Sequence, residues 1–212
     1  MELKVNISFE ENYSITEQAV EETILQLEKG EKNDYIQTLI NLLQEINREI
    51  KRIENSKSDL SLTSIHVRNV FELFLISKYV FSGNKTYAHW LGQLHKDTSD
   101  VIDGFIILFN KFDKDSPELK EYKEFIDSTL EDSEYSSKGP FNIRCLAQKY
   151  NLDEDYLAIH KLCSKLVHPS SMKVNTHEAL AANDNYINLL LYVGVYFCQQ
   201  IEGLCNEIRE AV

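Results

Sequence analysis

Proline and glycine are scarce in this chain, with three and seven residues among 212. That shortage argues against a turn-rich all-β fold and for long helices with few interruptions. No CxxC pair occurs among Cys145, Cys163, Cys198 and Cys205. The four are expected to be reduced core residues of a cytoplasmic protein. No apolar run reaches the roughly 20 residues a bilayer span needs. The longest, LLLYVGVYFC from Leu189 to Cys198, reads as a buried helix. The opening MELKVNISFEENYS has no basic region followed by an apolar one, so no signal peptide is expected and no membrane partner. Positive charge is in deficit: 22 Lys and Arg stand against 34 Asp and Glu, for a net charge of −12. Such a molecule is expected to be soluble and to repel nucleic acid and anionic membranes at long range.

What is present is helical periodicity. Residues 3–9, LKVNISF, alternate and are consistent with a short strand or a segment lying on the helices; residues 1–14 are set apart as an N-terminal extension. From Thr16, an N-cap candidate, a helix is expected to run to Gly30. Ile36, Leu39, Ile40, Leu43, Ile46, Ile50 and Ile53 mark a second helix from Asn33 to about Ser56. A third spans Leu60 to Phe81 and stops at Ser82-Gly83-Asn84. Lys85 to Lys96 reads as a short helix or ordered connection. Asp100–Phe112 and Pro117–Leu130 form a helical pair, with Ser116 as N-cap and Pro117 at N1. Residues 131–140 read as an exposed loop. Asn142–Tyr150, Asp153–Val167 and one long helix from Thr176 to Ala211 complete the chain. The expected fold is all-α, a multi-helix up-and-down bundle forming one domain over residues 1–212.

Charge is unevenly spread. Residues 97–134 carry net −8, whereas residues 138–173 carry net +3. The basic island holds SKLVHPSS, Ser164 to Ser171. Pro169 disfavours helical angles at the residue before it, so His168 should end its helix. The last helical carbonyls carry partial negative charge, and an imidazolium placed there gains roughly 0.3–1 kcal/mol. The position suits a proton-transfer group and equally suits a ring that only caps the helix. Lys161, Ser164, Lys165 and His168 lie at i, i+3, i+4 and i+7, one helical face. Two ammonium groups, a hydroxyl and an imidazole on one face could hold a phosphate and move a proton.

The third helix adds a polar pair. Arg68 and Glu72 flank the apolar stripe of Val67, Val70, Phe71, Phe74 and Leu75. An exposed pair in this order is worth only a few tenths of a kcal/mol. If partly buried, the two would need partners such as Ser164 or His168. His66, two residues before Arg68, points to a different side. No HExxH or CxxC metal signature, Walker loop, GxGxxG or GxSxG is present, so no metal and no cofactor is expected.

The stretch with Tyr156, Leu162, Ser164, Val167, His168 and Pro169 resembles a group of uncharacterised bacterial helical proteins carrying Tyr…Leu-Ser…Val-His-Pro. That group in turn resembles a divergent branch of the HEPN superfamily. The resemblance implies a helical bundle that dimerises, and a metal-independent ribonuclease of a defence or stress system. It implies His168 in proton transfer and a cation upstream on the scissile phosphate. Lys161 stands, with six residues between, where that family has Arg; Arg68 could restore the guanidinium, with Glu72 and Ser164 in support. Lys165 would add to phosphate binding. The partner would be RNA or a nucleotide at the basic patch. The alternative is a non-catalytic interaction protein in which Arg68, Glu72, Ser164 and His168 clasp two helices and the partner is another protein.

Overall fold

The computed structural model describes residues 9–131 and 141–212, and every regular element among them is a helix. In chain order these are α1 (Phe9–Lys29), α2 (Asp34–Asn55), α3 (Leu60–Phe81), α4 (Asn84–Lys111), α5 (Pro117–Glu131), α6 (Ile143–Lys149), α7 (Asp153–Val167), α8 (Ser171–Asn175), α9 (His177–Ala181) and α10 (Asp184–Ala211). Of the strand-like stretch 3–9 and the loop expected over 131–140, residues 3–8 and 132–140 lie outside the described residues, while Phe9 already begins α1 and Glu131 still ends α5. None of the helices is long and apolar enough to cross a membrane.

The chain divides into two compact units, one of residues 1–78 and 143–212, the other of residues 79–142. In the first, α1, α2 and α3 alternate in direction. Lys57 Nζ bonds Glu10, Asn47 bonds Glu21, and Ser56 meets Thr63. The last helix, α10, instead runs parallel to α1. Tyr13 Oη donates to the Leu191 carbonyl at 3.4 Å, and Gln26 Nε2 to the Arg209 carbonyl at 2.9 Å. The core is the row Leu39, Leu43, Ile46, Ile50 and Ile53 of α2 against Val67, Val70, Phe71, Phe74 and Leu75 of α3, with Phe197 of α10 edge-on to Phe71. The ten positions of α2 and α3 carry the periodicity expected of a buried stripe. Glycine matters at one crossing: a Cβ at Gly194 would meet the Tyr13 hydroxyl at 2.8 Å.

The second unit is a helical hairpin. α4 and α5 close on buried Ser99, Ile102 and Ile126, with Lys123 Nζ reaching Ser99 Oγ at 2.8 Å. Aromatic rings of Tyr79, His89, Trp90 and Phe141 gather at its base.

Several boundaries differ from expectation. Thr16 does not cap α1, which begins at Phe9; its buried hydroxyl donates back to the Asn12 carbonyl inside the helix. Residues 85–96 and 100–112 are one continuous helix, because no glycine or proline separates them. Ser116 sits at the start of α5 and its carbonyl accepts from Lys120, yet its buried hydroxyl makes no capping bond. The final helix does not begin at Thr176. Asn183 caps it through Asn185 N–H, and α8 and α9 stand before it. Cys145 is exposed and is not a core residue, whereas Cys163, Cys198 and Cys205 are buried; all four are free thiols.

Candidate functional site

The end of α7 is built by chain stiffness and capping. His168 has φ −80 and ψ 157, the extended geometry that a following proline favours. Its backbone N–H donates to the Ser164 carbonyl at 3.3 Å. The next three orphan carbonyls of the helix find other donors. Ser170 Oγ donates to Lys165 O at 2.8 Å, Ser61 Oγ of α3 to Leu166 O at 3.0 Å, and Lys173 Nζ to Val167 O at 3.1 Å. All four terminal acceptors are satisfied without the imidazole. Sequence reasoning placed His168 at the cap and missed the three side chains that do the capping. Ser170 was the legible one, since it also caps α8 through Lys173 N–H.

The face expected along α7 is present. Lys161, Lys165 and His168 are exposed and Ser164 is half-buried, while Ile159, Cys163 and Leu166 face the core. Leu162 is half-buried. Among the described residues neither Lys161 nor Lys165 enters an ion pair. This leaves two ammonium groups and an imidazole pointing to solvent beside one hydroxyl.

Arg68 and Glu72 find each other. Arg68 Nε lies 2.6 Å from Glu72 Oε1, with a third and a quarter of the side chains exposed. The pair faces Cys163 of α7. Burial pushes that thiol up to about 11, opposed by Arg68 and assisted by Glu72. Among the described residues no hydrogen bond joins Arg68 or Glu72 to Ser164 or His168. The structure therefore brings the predicted residues together as two groups, the α7 face and the α3 pair.

A third polar group was missed. His66 Nδ1 is 2.8 Å from Glu49 Oε2, and Glu49, with its side chain only 4% exposed, also pairs with Arg52. The signal was available: Glu49 interrupts the apolar row of α2, and a carboxylate in such a row demands partners. Near the end of α7 a half-open cavity of about 770 Å³ is lined by Lys57, Asp59, Ser61, Leu166, Lys173 and His177 among others. None of the predicted site residues lines it. Among the described residues no three His, Cys, Asp or Glu side chains are grouped to hold a metal ion.

No family of known proteins, no curated protein and no solved structure matches this chain.

Proposed function

We propose that this chain is a HEPN-like cytoplasmic protein of a bacterial defence or stress system, acting as a homodimer, whose working surface is the exposed face of α7 and whose substrate is RNA. The carrying observation is the imidazole of His168. It is exposed at a helix end where Ser170, Ser61, Lys173 and its own backbone N–H already satisfy the four terminal carbonyls. A ring with no capping duty, beside exposed Lys161 and Lys165, is free for chemistry.

In the proposed reaction Lys161 and Lys165 hold the scissile phosphate as point charges. His168 takes the proton of the ribose 2′-hydroxyl, and that oxygen attacks phosphorus. The 5′-oxygen leaves and takes a proton from water. The products are a 2′,3′-cyclic phosphate and a 5′-hydroxyl. General base catalysis of this kind contributes about 10²–10⁴-fold. The test is incubation of total RNA and tRNA in EDTA with wild type and with His168→Ala. Cleavage lost in the variant supports the reading; cleavage that survives it overturns the assignment to His168.

A second reading, a non-catalytic protein-binding role, is favoured by one observation. Arg68 is paired with Glu72 on its own helix, and among the described residues no hydrogen bond joins it to Ser164 or His168. It expects no cleavage by either protein.

A further inference from the structure

Among the described residues of its unit, α4 carries an apolar row that α5 does not cover. Leu94, Val101, Phe105, Leu108 and Phe112 are 46–62% exposed. With Thr98 they fall at alternating steps of four and three residues, the a and d spacing of a coiled coil. The seam against α5 uses Ser99, Ile102 and Asp103, the last in an ion pair with Lys123 at 3.3 Å. At 3.6 residues per turn the row lies roughly 140° round the helix from that seam. α5 therefore leaves it open. If each side chain exposes about half of roughly 200 Å², the row presents on the order of 500 Å² of apolar surface. A monomer seldom leaves a larger apolar patch to water.

We propose that this row is the interface of an antiparallel dimer, α4 against α4 of a second copy. The row is self-complementary in that orientation. A two-fold axis beside residue 103 sets Phe105 against the partner's Val101, Leu108 against the partner's Thr98, and Phe112 against the partner's Leu94. Each layer seats a larger side chain on a smaller one. The flanking positions then bring Asp97 opposite the partner's Lys111 on both sides of the axis. Asp97 and Lys111 are exposed, and neither is in an ion pair within its own chain among the described residues. The same axis sets Gly104 on the partner's Gly104, and the space around Gly104 is open, so the backbones can approach. A parallel pair would stack phenylalanine on phenylalanine and leave both charges without a partner. Two such rows together cover on the order of 1,000 Å², the lower bound for a specific interface, and an isologous contact closes as a dimer.

The inference goes beyond the proposed reaction. It gives the homodimer its interface, and its readout, mass in solution, is separate from RNA cleavage. The test is sedimentation velocity of the full chain from about 1 to 100 μM. Wild type is expected to be dimeric and Phe105→Glu monomeric with unchanged circular dichroism. Asp97→Lys alone and Lys111→Asp alone are each expected to raise the dimer Kd about tenfold, and the Asp97→Lys/Lys111→Asp double variant to restore it. These two surface changes keep the test decisive should Phe105→Glu fail to fold. A monomeric wild type, or a double variant no better than the singles, overturns the proposal. So does a dimer lost in Tyr192→Glu and kept in Phe105→Glu, which would place the contact on exposed Leu189, Tyr192 and Tyr196 of α10.

Discussion

His168 separates the two readings by its effect on stability. Its ring is exposed and satisfies none of the carbonyls that end α7. His168→Ala is therefore expected to change the unfolding free energy by less than about 0.5 kcal/mol, as for an ordinary surface substitution. Urea denaturation checks this; a loss of 2 kcal/mol or more, roughly the cost of a broken buried hydrogen bond, would make the ring a clasp after all. Glu49 is the opposite case. It is buried and pairs with both His66 and Arg52, of which Arg52 also pairs with Glu45. Glu49→Ala is expected to cost about 1–3 kcal/mol by the same measurement, since it leaves the His66 ring without its partner beside the core while Arg52 keeps Glu45. The thiols give a pH signature. Burial pushes Cys163 and Cys205 up to about 11 and Cys198 up to about 12, from an ordinary 9.0. Raised folded values favour the native state in full below about pH 9 and progressively less as pH climbs toward 11, because the unfolded thiols ionise first. Stability should fall across that window, and Cys198→Ala should make the fall shallower. A thiol reagent at pH 8 should label Cys145 quickly and the other three only on unfolding, because only Cys145 is exposed.

At the scale of elements, the close approach of α10 to α1 is the sharpest packing constraint. Gly194→Ala would drive a methyl group onto the Tyr13 hydroxyl, expected to cost about 1–3 kcal/mol as overpacking. Tyr13→Phe removes that atom, so the double variant should lose less than the sum of the two singles. A double-mutant cycle by urea unfolding reads the coupling; strict additivity would contradict the contact. Helix positions followed the periodicity closely where an apolar stripe met a clear stop. α3 runs Leu60–Phe81 and α7 runs Asp153–Val167, both as their sequences imply. The misplaced ends have physical causes. Thr16 looked like a cap because threonine often is one, but its hydroxyl can also back-bond inside a helix, to Asn12. α4 looked like two pieces because its histidine-rich first half has a weak stripe. The break at Asn183 was hidden among the polar residues of 183–185, where only the side chain's reach to Asn185 N–H marks it.

Over the whole molecule, the distribution of charge was legible and the assembly of the site was not. Counting residues located the basic island, and the proline after His168 located its helix end. The i, i+4 spacing made Arg68 and Glu72 legible as a pair, but it could not say whether that pair would bond to Ser164 or His168, because that depends on how two helices distant in sequence pack. Nor could it show that the apolar row of α4 stays open, since a buried and an uncovered stripe read alike. The net charge of −12 opposes RNA at long range, so binding must come from the local face. With Lys161 and Lys165 as the phosphate contacts, log K against log salt should fall with a slope of about −1.4, the single-strand value for two neutralised phosphates. A flat dependence would place RNA elsewhere.

The most direct measurement is a single-turnover cleavage rate in EDTA on a labelled single-stranded RNA and on its 2′-deoxy counterpart, with binding measured in parallel for wild type and His168→Ala. The account predicts cleavage of the RNA alone, a rate about 100-fold or more lower in the variant, and unchanged affinity. Equal rates for the two proteins, or no cleavage by wild type while it still binds RNA, would contradict it.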